Sequence, residues 1–581
     1  MQKTKKDIAK QIYIILNKLS SEIDLTEDNI FSMLEYPPDS AMGDLAFPCF
    51  RLSKQLRKPP VAIAEAIKAG FVCDSVIECV SAGGYINFKL NNKNFIAEFL
   101  ANILSAKEKY GSSGIGAGKK IVIDYSSPNI AKPFHIGHLR STVIGNAIKN
   151  IHRFTGYDCT AINYLGDWGT QFGKVITAYK LWCNDMDEIE EKGVYKLMEL
   201  YVKFTTESEN DKSLNAEARK WFALLEQGNA EALDLWRKFR DISLEEYKRS
   251  YALIGIEFDS YDGESFFNDK MDAVVEELKE KNLLKLDQGA QIVDLSEYDM
   301  PPCLILKSDG ATLYPTRDIA SALYRKKTYD FDKNIYVTDM RQILHFAQWK
   351  KVTELMGYDF AEDCEHVTFG LMSFGGESLG TRKGNILLLD TLFNMAIEKV
   401  ENIIEEKSPH LSDEQKKDIA TKVGVGAIIF NDLSNGRMKD VNFDWEETLN
   451  FDGNSGPYVQ YTYARICGVL NKSEQEIFAV PNNPNNPNEE IILNSLEREL
   501  IKTMALFPEK VLVALKEYEP SVISRYLLDL CAAYNRFYHE CSILKAENEN
   551  IKMMRLAICE AAKYVIGNGL SLLGLAKTTV V

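Results

Sequence analysis

The chain has 581 residues, 45% of them hydrophobic and 26% charged, and it carries a net charge of −16 at pH 7. That balance is typical of a soluble globular protein, and the length favours roughly three to four domains. No uninterrupted apolar stretch reaches the roughly 20 residues that a membrane span needs, so we expect no membrane partner. The acidic balance argues against a non-specific coat for nucleic acid, but a local basic patch is enough to bind one.

Eleven cysteines are scattered along the chain without a Cys-x-x-Cys pair or a Cys/His cluster at zinc spacing. This pattern argues against both a disulfide framework and a tightly bound protein metal. It favours a reducing, cytoplasmic setting. The opening segment MQKTKKDIAKQIYIIL predicts an amphipathic helix and not a signal peptide, because polar residues interrupt its short apolar run.

Residues 1–112 form the first predicted domain, an α+β module. Helical periodicity covers Lys5–Leu19 and Val61–Ala69, and the apolar run Tyr85–Leu90 predicts a strand. The glycine- and serine-rich stretch 111–118 predicts a linker to the next domain.

A strand–loop–helix–strand order comes next. Lys120–Tyr125 predicts a buried strand, and Ser126–Pro133 predicts a turn-rich loop. From His135 onward apolar residues recur at helical spacing until Gly156 ends the helix, and Asp158–Leu165 predicts a second strand. This βαβ unit predicts a parallel sheet and therefore a Rossmann-type α/β core.

The predicted core domain spans residues 113–454 and has a charge-rich helical insertion at about 180–250. Four β-type runs follow the insertion, with helices between several of them, as an α/β core requires. These runs are Gln291–Leu295, Cys303–Leu306, Ile335–Thr338 and His366–Leu371. Residues 455–581 are almost wholly helical, broken by the low-complexity segment 481–488, and predict an all-helical C-terminal domain.

The segment His135-Ile136-Gly137-His138 stands where the helix of the βαβ unit begins. Backbone N–H groups at a helix N-terminus favour anions, and Gly137 leaves the backbone open to a flat group such as adenine. The two histidines, three apart on one helix face, can donate hydrogen bonds to phosphate oxygens that gain charge. Two other interpretations stay open. The histidines could be a plain polar cap, or metal ligands, although no third ligand lies nearby in the sequence.

His135–His138 resembles the HIGH signature of class I aminoacyl-tRNA synthetases, and Ser126–Pro133 before it resembles the arginyl-tRNA synthetase subfamily in particular. Further matches follow in the family's order and cover nearly the whole chain. They are Gly166–Gly173, Tyr314–Asp318, Gln342–His345 and Tyr458–Arg465. The resemblance implies a Rossmann-type catalytic domain, an N-terminal module that touches the tRNA elbow and a helical anticodon-binding domain.

The resemblance implies a pocket for L-arginine. A desolvated guanidinium needs a carboxylate in a fork-compatible geometry, and Asp124 and Asp318 are the candidates, beside Tyr314. The sequence does not decide between the two carboxylates, and Asp318 could instead be a helix N-cap. The remaining predicted arginine contacts are Asn129, His135, Gln342 and His345. For Gln342 an exposed helix position is the alternative.

The resemblance also implies contacts to ATP from the two glycine-containing loops. The predicted ATP-binding residues are Pro128, Phe134, His135, Gly137, His138, Gly166 and Asp167. The second class I signature, KMSKS, is degenerate here, because the matching loop Leu379–Gly384 lacks the first lysine. The family then implies that Lys132 supplies the missing charge, with Arg382 and Lys383 on the β- and γ-phosphates, and a solvated basic turn is the alternative. Mg²⁺ would come with ATP and not sit in a protein cage.

Single-stranded anticodon bases are read by stacking and edge hydrogen bonds. The candidates for such contacts are Tyr458, Tyr461, Arg465, Tyr534 and Tyr538, although each tyrosine could equally be a packing residue. In the first module, Tyr85 and Asn87 fall where family members touch the tRNA elbow. The last segment, Ala576–Val581, departs from the usual methionine ending of the family, so a contact from it to the anticodon is in doubt.

The implied reaction has two steps. The arginine carboxylate attacks the α-phosphorus of ATP, giving arginyl-adenylate and pyrophosphate, and the first step is expected to need tRNA. The 2′-hydroxyl of the terminal adenosine of tRNA then attacks the adenylate carbonyl. No protein nucleophile is needed, and the predicted catalytic residues act by positioning and charge stabilisation. They are Lys132, His135, His138, Arg382 and Lys383.

Two rival functions stay open. The first is a small-molecule adenylate-forming ligase or nucleotidyltransferase with an HxGH motif, which usually lacks helical C-terminal and N-terminal modules of this kind. The second is a non-catalytic tRNA-binding paralogue, against which the retained Lys132, His135, His138 and Asp318 count. No coiled-coil or interface stripe is evident in the sequence, which favours a monomer.

Overall fold

The computed structural model of the chain describes residues 2–20, 24–37, 42–91, 95–132, 134–308, 310–374, 377–378, 388–473 and 493–580. Several residues singled out by the sequence lie outside this part of the chain. They are Pro133, the loop Leu379–Gly384 with Arg382 and Lys383, the low-complexity segment 481–488, and Val581.

The N-terminal module packs helices against a three-stranded antiparallel sheet of order β1-β3-β2. Its elements are α1 (Gln2–Leu19), α2 (Glu27–Met33), β1 (Leu45–Pro48), α3 (Ser53–Leu56), α4 (Pro60–Gly70), β2 (Val76–Ala82), β3 (Tyr85–Leu90) and α5 (Ala101–Ala106). The apolar stripe of α1 buries Ile8, Ile12 and Leu16, as its helical periodicity requires. The two predicted helices and the predicted strand of this module are confirmed.

The central domain contains one parallel sheet, two small sheets and the helices between them. In chain order its elements are β4 (Lys120–Asp124), α6 (Ile136–Phe154), β5 (Asp158–Ile162), α7 (Thr170–Trp182), α8 (Met186–Lys192), α9 (Val194–Asn210), α10 (Ser213–Glu226), α11 (Ala230–Leu253), α12 (Met271–Glu280), β6 (Leu284–Asp287), β7 (Ala290–Val293), β8 (Cys303–Leu306), α13 (Tyr314–Tyr329), β9 (Lys333–Asp339), α14 (Ile343–Leu355), β10 (Cys364–Phe369), β11 (Met372–Phe374), β12 (Glu377–Ser378), α15 (Leu389–Lys407), α16 (Asp413–Leu433), β13 (Val441–Phe443) and α17 (Trp445–Thr448).

The parallel sheet has the order β10-β9-β4-β5, and all neighbouring strands run in the same direction. In β4 the residues Ile121, Val122 and Ile123 are all buried, because helices cover both faces of the sheet. The predicted βαβ unit is confirmed. The carboxyl ends of the four strands meet at one edge, where open α/β sheets bind their ligands.

All four β-type runs predicted after the insertion are strands, but two of them lie outside the parallel sheet. β7 and β8 pair with β6 in an antiparallel sheet of order β6-β7-β8. The hairpin between β6 and β7 turns at Gln288 and Gly289, with φ values of 48° and 84°. Two consecutive positive φ values match the twist of antiparallel strands, so the local hairpin pairs these strands with each other and not with the parallel core.

The C-terminal domain is helical, as predicted, and the N-terminal module docks on it. Its helices are α18 (Gly456–Ser473), α19 (Ser495–Ala505), α20 (Phe507–Glu517), α21 (Ser521–Glu540) and α22 (Glu549–Leu572). Glu509 binds the Lys5 ammonium at 3.2 Å and the Tyr36 hydroxyl at 2.8 Å, and Arg498 pairs with Asp44 at 2.5 Å. None of the described helices is long and apolar enough to cross a membrane.

Two helical glycines, one packed against a neighbouring residue and one in open space, give a matched test of the packing in α6 and α18. A Cβ at Gly145 of α6 would lie 2.3 Å from Tyr125 Cβ, whereas a Cβ at Gly468 of α18 would meet no atom within 4 Å. We expect Gly145→Ala to destabilise the protein by about 1–3 kcal/mol through overpacking. Gly468→Ala should stabilise it by about 0.5–1 kcal/mol. Thermal unfolding checks both, and shifts of the same sign would contradict the packing described.

Candidate active site

The loop between β4 and α6 has a strained backbone, because three of its non-glycine residues take left-handed conformations. Ser126, Ser127 and Ala131 have φ values of 74°, 48° and 61°. Such conformations persist only where the surroundings hold them. Helix α6 supplies part of that hold, since the Ser126 N–H donates to Ser141 Oγ at 2.9 Å and the Ser126 hydroxyl lies 2.7 Å from Thr142 Oγ1.

Helix α11 of the insertion holds the same loop from the other side. The Tyr247 hydroxyl lies within hydrogen-bond distance of the carbonyl oxygens of Asn129 and Lys132, at 2.7 and 2.5 Å. The Ala131 N–H donates to Ser243 Oγ at 3.2 Å. The insertion therefore supports the signature loop, a role that its helical periodicity does not reveal.

The two signature histidines form a reciprocal cap on the first turn of α6. The Gly137 N–H donates to His135 Nδ1 at 3.1 Å, and the His135 N–H donates to His138 Nδ1 at 3.3 Å. Because both Nδ1 atoms accept, each neutral ring carries its proton on Nε2. The polar-cap and phosphate-donor interpretations are therefore compatible, since one nitrogen of each ring caps the helix and the other keeps its proton to donate.

Burial keeps both histidines neutral. It lowers the pKa of His135 to about 4, with the Lys132 charge as a lesser cause. It also lowers the pKa of His138 well below its ordinary value, with His135 and Lys132 as lesser causes. An anion bound against the two rings would raise both pKa values, because it favours the charged imidazolium.

Two glycines at the site make room for neighbouring side chains. A Cβ at Gly137 would lie 2.8 Å from His135 Cε1, and a Cβ at Gly166 would lie 2.2 Å from Asn129 Oδ1. The loops after β4 and β5 are joined there, since the Gly166 N–H donates to the Pro128 carbonyl at 3.0 Å. The glycines therefore shape the site through packing, while their approach to ATP stays a prediction.

Asp167 is a predicted ATP-binding residue whose side chain has partners inside the protein, and its contact with ATP stays a prediction. This carboxylate accepts from the N–H and the hydroxyl of Ser265, at 2.8 and 2.7 Å, and the residue is only 2% exposed. The Asp167 carbonyl also accepts from Trp236 Nε1 at 2.8 Å. Asp167 therefore ties the loop after β5 to the insertion. Phe134, another expected ATP contact, stacks on the His138 ring with a centroid separation of 5.3 Å.

A cavity of about 410 Å³ opens at the carboxyl edge of the parallel sheet. Six of the seven predicted arginine contacts line it: Asp124, Asn129, Tyr314, Asp318, Gln342 and His345. The seventh, His135, caps α6 and is not among the described residues that line the cavity. The other lining residues are Ser127, Tyr164, Gly166, Glu264, Ser321, Tyr336, Thr338 and Phe346.

Asp124 already has a cationic partner inside the protein. Arg325 Nη2 lies 2.7 Å from Asp124 Oδ2, and the Ser127 hydroxyl donates to Oδ1 at 2.9 Å. The Arg325 guanidinium lies over the rings of Tyr164 and Tyr336, 5.4 and 5.3 Å from their centroids. Burial raises the pKa of Asp124, and the Arg325 charge opposes that effect.

Asp318 presents its carboxylate differently. It lies in the second turn of α13, whose N-cap is Leu313, so the helix-cap interpretation does not hold. Its Oδ2 atom lies 2.5 Å from His345 Nε2, and its side chain is 23% exposed. Tyr314, one turn earlier, is 64% exposed.

Glu264 is a third carboxylate in the cavity, and the sequence analysis did not identify it. Burial raises its pKa to about 7, opposed by Arg317, whose Nη1 atom lies 3.5 Å from Glu264 Oε2. No motif marks this residue. The one local signal in the sequence is the glycine before it, Gly263. The structure explains this glycine, because a Cβ there would lie 2.5 Å from the Leu165 carbonyl oxygen.

Lys132 lies beside the insertion. Its Nζ atom is 5.3 Å from the ring centroid of Tyr201 in α9, and Lys174 Nζ is 5.9 Å from the same ring. The contacts predicted for Lys132 with phosphate, and those predicted for Arg382 and Lys383, stay predictions.

A second cavity, of about 610 Å³, lies between α18, α21 and the C-terminal segment. The Arg465 guanidinium lies over the rings of Tyr461 and Tyr538, 4.8 and 5.2 Å from their centroids, and donates to Asn535 Oδ1. Thr579 also lines the cavity. Two of the predicted tyrosines and Arg465 therefore form one aromatic and basic wall.

The other four predicted tRNA contacts lie outside this wall. Tyr534 is fully buried, with its hydroxyl beside Cys559 Sγ, and Asn87 is 6% exposed. Because burial removes both side chains from the surface, we correct the prediction and describe them as packing residues instead of tRNA contacts. Tyr458 is half-buried, and its hydroxyl accepts from Asn535 Nδ2 at 3.0 Å. Tyr85 packs edge-on against Phe50, with a centroid separation of 5.1 Å.

The parallel sheet, the histidine-capped start of α6 and the acidic cavity at the sheet edge define the catalytic domain of a class I aminoacyl-tRNA synthetase. The family described as tRNA synthetases class I (R), catalytic domain, matches residues 99–445. The DALR anticodon binding domain matches residues 459–579, and the arginyl tRNA synthetase N terminal domain matches residues 5–90. The chain belongs to the arginyl-tRNA synthetase family.

Known relatives agree with this membership. The chain is 50% identical to the arginine–tRNA ligase of Alkaliphilus metalliredigens, over 94% of this chain and 95% of that protein. It is 46% identical to the arginine–tRNA ligase of Clostridium acetobutylicum, over 97% and 98% of the two chains. The crystal structure of arginyl-tRNA synthetase from Plasmodium falciparum shares the fold, with a TM-score of 0.81 at 24% identity over 100% of this chain and 99% of that one.

Two substitutions at His138 separate the roles of its ring nitrogens. Asparagine can accept at the Nδ1 position but has no donor at the Nε2 position, whereas glutamine offers the donor and leaves the His135 N–H without its cap. We expect His138→Asn to keep its thermal midpoint and lose about 10²-fold in ATP–pyrophosphate exchange. His138→Gln should lose about 1 kcal/mol of stability and less of the exchange rate. The opposite ranking would show that the cap is the only role of this ring.

The depressed pKa of His135 predicts acid sensitivity. Between the unfolded value of about 6.5 and the folded value of about 4, the folded state binds fewer protons than the unfolded state. The stability that neutral His135 contributes is therefore present above about pH 6.5 and lost as pH falls toward 4. Urea unfolding at about pH 7 and pH 5 should show a smaller fall in stability for His135→Asn than for the wild type. An equal fall in both proteins would count against the neutral ring.

Proposed function

We propose that this chain ligates L-arginine to its tRNA in two steps. The arginine carboxylate attacks the α-phosphorus of ATP, forming arginyl-adenylate and releasing pyrophosphate. The 2′-hydroxyl of the terminal adenosine of tRNA then attacks the adenylate carbonyl and releases AMP. The observation that carries the proposal is the acid-lined cavity at the carboxyl edge of the parallel sheet, beside the histidine-capped start of α6.

Asp318 is the carboxylate that receives the substrate guanidinium. Three carboxylates line the cavity, but Asp124 is paired with Arg325 at 2.7 Å and Glu264 lies 3.5 Å from Arg317. Among the described residues Asp318 has no lysine or arginine ion-pair partner and lies 2.5 Å from His345 Nε2, so its carboxylate is the one of the three left to pair with a substrate cation. This argument favours Asp318 over Asp124, a choice that the sequence leaves open.

The other predicted pocket residues surround the same guanidinium and the polar groups at Cα. Tyr314 reaches the cavity from the exposed start of α13, and Asn129 reaches it from the signature loop. Gln342 and His345 approach from the start of α14. Amide and imidazole groups suit the α-amino and carboxylate groups of the amino acid, because they form hydrogen bonds without adding a fixed charge.

The phosphates of ATP lie against the Nε2 atoms of His135 and His138 and the ammonium of Lys132. Neutral imidazole donors stabilise the charge that develops on the α-phosphate, and Lys132, Arg382 and Lys383 stabilise the departing pyrophosphate. Mg²⁺ enters with ATP as part of the substrate. In the described part of the chain no group of three or more His, Cys, Asp or Glu side chains could hold a metal ion.

The tRNA contacts two separate parts of the chain. The wall formed by Tyr461, Tyr538 and Arg465 suits unstacked anticodon bases, because bases stack on aromatic rings and guanidinium planes. Tyr85 of the N-terminal module contacts the tRNA elbow. The domains divide at residues 112/113 and 454/455.

The chain acts as a monomer in the cytoplasm. No interface stripe is evident in its sequence, which supports the monomer. All eleven cysteines are free thiols, which is typical of proteins in reducing compartments and supports the cytoplasm.

ATP–pyrophosphate exchange tests the reaction, with each amino acid in turn and with or without total tRNA. We expect exchange with arginine alone, and only when tRNA is present. Exchange with a different amino acid would overturn the specificity, and exchange that ignores tRNA together with no tRNA binding would favour a small-molecule ligase. Absence of any exchange would favour a non-catalytic tRNA-binding protein.

Asp318→Asn tests the guanidinium assignment. The variant should raise KM for arginine about 10²-fold and leave KM for ATP within about twofold, because only the charged hydrogen bond to the substrate is lost. Asp330→Asn is the matched control, since this carboxylate ends the same helix and its side chain is 79% exposed. Steady-state exchange kinetics measure both constants. An unchanged KM for arginine in Asp318→Asn would assign the guanidinium to another carboxylate.

A further inference from the structure

The turn formed by residues 434–440 joins α16 to β13 and lies where the central and helical domains meet. We call it the junction turn. On its central-domain side, the Gly370 N–H donates to the Arg437 carbonyl at 2.9 Å, and the Leu371 N–H donates to Asp440 Oδ1 at 2.7 Å. Arg437 Nη1 donates to the Thr368 carbonyl at 2.6 Å. The turn is therefore fastened to the end of β10 by three hydrogen bonds.

Arg140 fastens the same turn to α6, the helix that begins at the signature histidines. Its Nη1 atom donates to the carbonyl oxygens of Gly370 and Lys439, each at 2.8 Å. Its Nε atom lies 2.8 Å from Asp432 Oδ1, and the two side chains are 1% and 0% exposed. A buried guanidinium with several carbonyl partners and a carboxylate has little freedom to move, so α6, β10 and the turn keep one relative position.

The helical domain contacts the junction turn through Glu519, which lies between α20 and α21. The carboxylate of Glu519 accepts from the backbone N–H of Arg437, at 3.2 and 3.3 Å. Nearby, the Ser524 hydroxyl donates to the Leu433 carbonyl at 2.8 Å. Arg437 therefore binds the helical domain through its backbone N–H and the end of β10 through its side chain.

Two neighbouring elements, β11 and α15, contact other parts of the central domain. Gly370 and Leu371 directly precede β11, which pairs with β13 on one side and β12 on the other. At the start of α15, the Leu389 N–H donates to the Phe134 carbonyl at 3.0 Å, next to His135. Because Arg140 of α6 donates to the carbonyl oxygens of Gly370 and Lys439, the junction turn and the residues before β11 keep one position relative to α6.

We propose that Glu519 is a positioning residue for the ATP site, although it lies in the helical domain and touches no substrate. Glu519 acts by binding the junction turn. Arg437 binds that turn to β10, and Arg140 binds it to α6. This inference rests on the proposed arginine–tRNA ligase function, because it concerns the ATP site of that reaction.

Glu519→Ala removes the acceptor for the Arg437 N–H and leaves every predicted substrate contact in place. We expect KM for ATP in pyrophosphate exchange to rise about tenfold, a typical size for coupling between separate sites. KM for arginine and the dissociation constant of tRNA should stay within about twofold of wild type. Glu519→Gln keeps an acceptor oxygen and should restore most of the ATP affinity.

Glu509→Ala is the matched control, because Glu509 is a carboxylate of the same domain that binds Lys5 and Tyr36 of the N-terminal module instead of the junction turn. It should leave KM for ATP unchanged. A double-mutant cycle of Glu519→Ala with Arg437→Met adds an independent measurement. If both residues act through the turn, the two losses combine to less than their product, whereas independent residues give additive free energies.

The outcomes are distinct. Equal KM values for ATP in Glu519→Ala and wild type, or additive losses in the cycle, would overturn the inference. Weaker tRNA binding by the same factor as the loss of exchange would make Glu519 a tRNA contact and also overturn it. Wild-type protein without arginine-dependent exchange would refute the proposed function itself, which separates the two failures.

Discussion

The hydrogen bonds that hold the loop with left-handed Ser126, Ser127 and Ala131 are the constraint on which the rest of the site depends. The reversal at Ser126 and Ser127 turns the Ser127 hydroxyl back onto Asp124, so the end of β4 is fixed. The same loop brings Asn129 beside Gly166 and lets His135 begin α6 at the sheet edge. Since part of the hold comes from α11, the helical insertion belongs to the architecture of the site.

The charges of the cleft fall into two groups, one suited to the guanidinium of arginine and one suited to the phosphates of ATP. Asp318 and Glu264 lie at the acidic end, where a bound guanidinium would replace the water that they lose. His135, His138 and Lys132 lie at the other end, where burial, with the Lys132 charge as a lesser cause, lowers the pKa of both imidazoles. An amino acid bound by its guanidinium at the acidic end would direct its carboxylate toward the phosphate end. Attack on the α-phosphorus needs that direction.

The sequence predicts those parts of the fold whose signals are local. Helix α1, the strand Tyr85–Leu90 and the βαβ unit follow from apolar periodicity, and the signature loop follows from its residues. The partner of a strand is not a local property. The apolar runs of β7 and β8 resemble those of buried parallel strands, and only the turn at Gln288 and Gly289 indicates a hairpin.

The same distinction separates the site residues that the sequence identifies from those that it misses. Asp318 and Asn129 stand in motifs, and both reach the cavity. Glu264 and Arg325 stand in none, because the folded chain brings Glu264 to the cavity and Arg325 to Asp124 from segments far along the sequence. Tyr534 has the right residue type for base stacking, but its burial depends on the packing of α21 against α22, which no single helix pattern reveals.

Helix α6 connects the histidine cap at the active site to the helical domain. It has 19 residues, and at about 1.5 Å per residue it extends roughly 28 Å from the signature histidines. At its far end Asn150 Nδ2 donates to the Ser571 carbonyl at 3.3 Å, and the His152 ring stacks on Tyr518 with a centroid separation of 5.8 Å. Both partners belong to the helical domain. A shift of that domain would therefore act on the far end of the helix that begins at the histidines, and the buried ion pair of Arg140 with Asp432, partway along the helix, would oppose its movement.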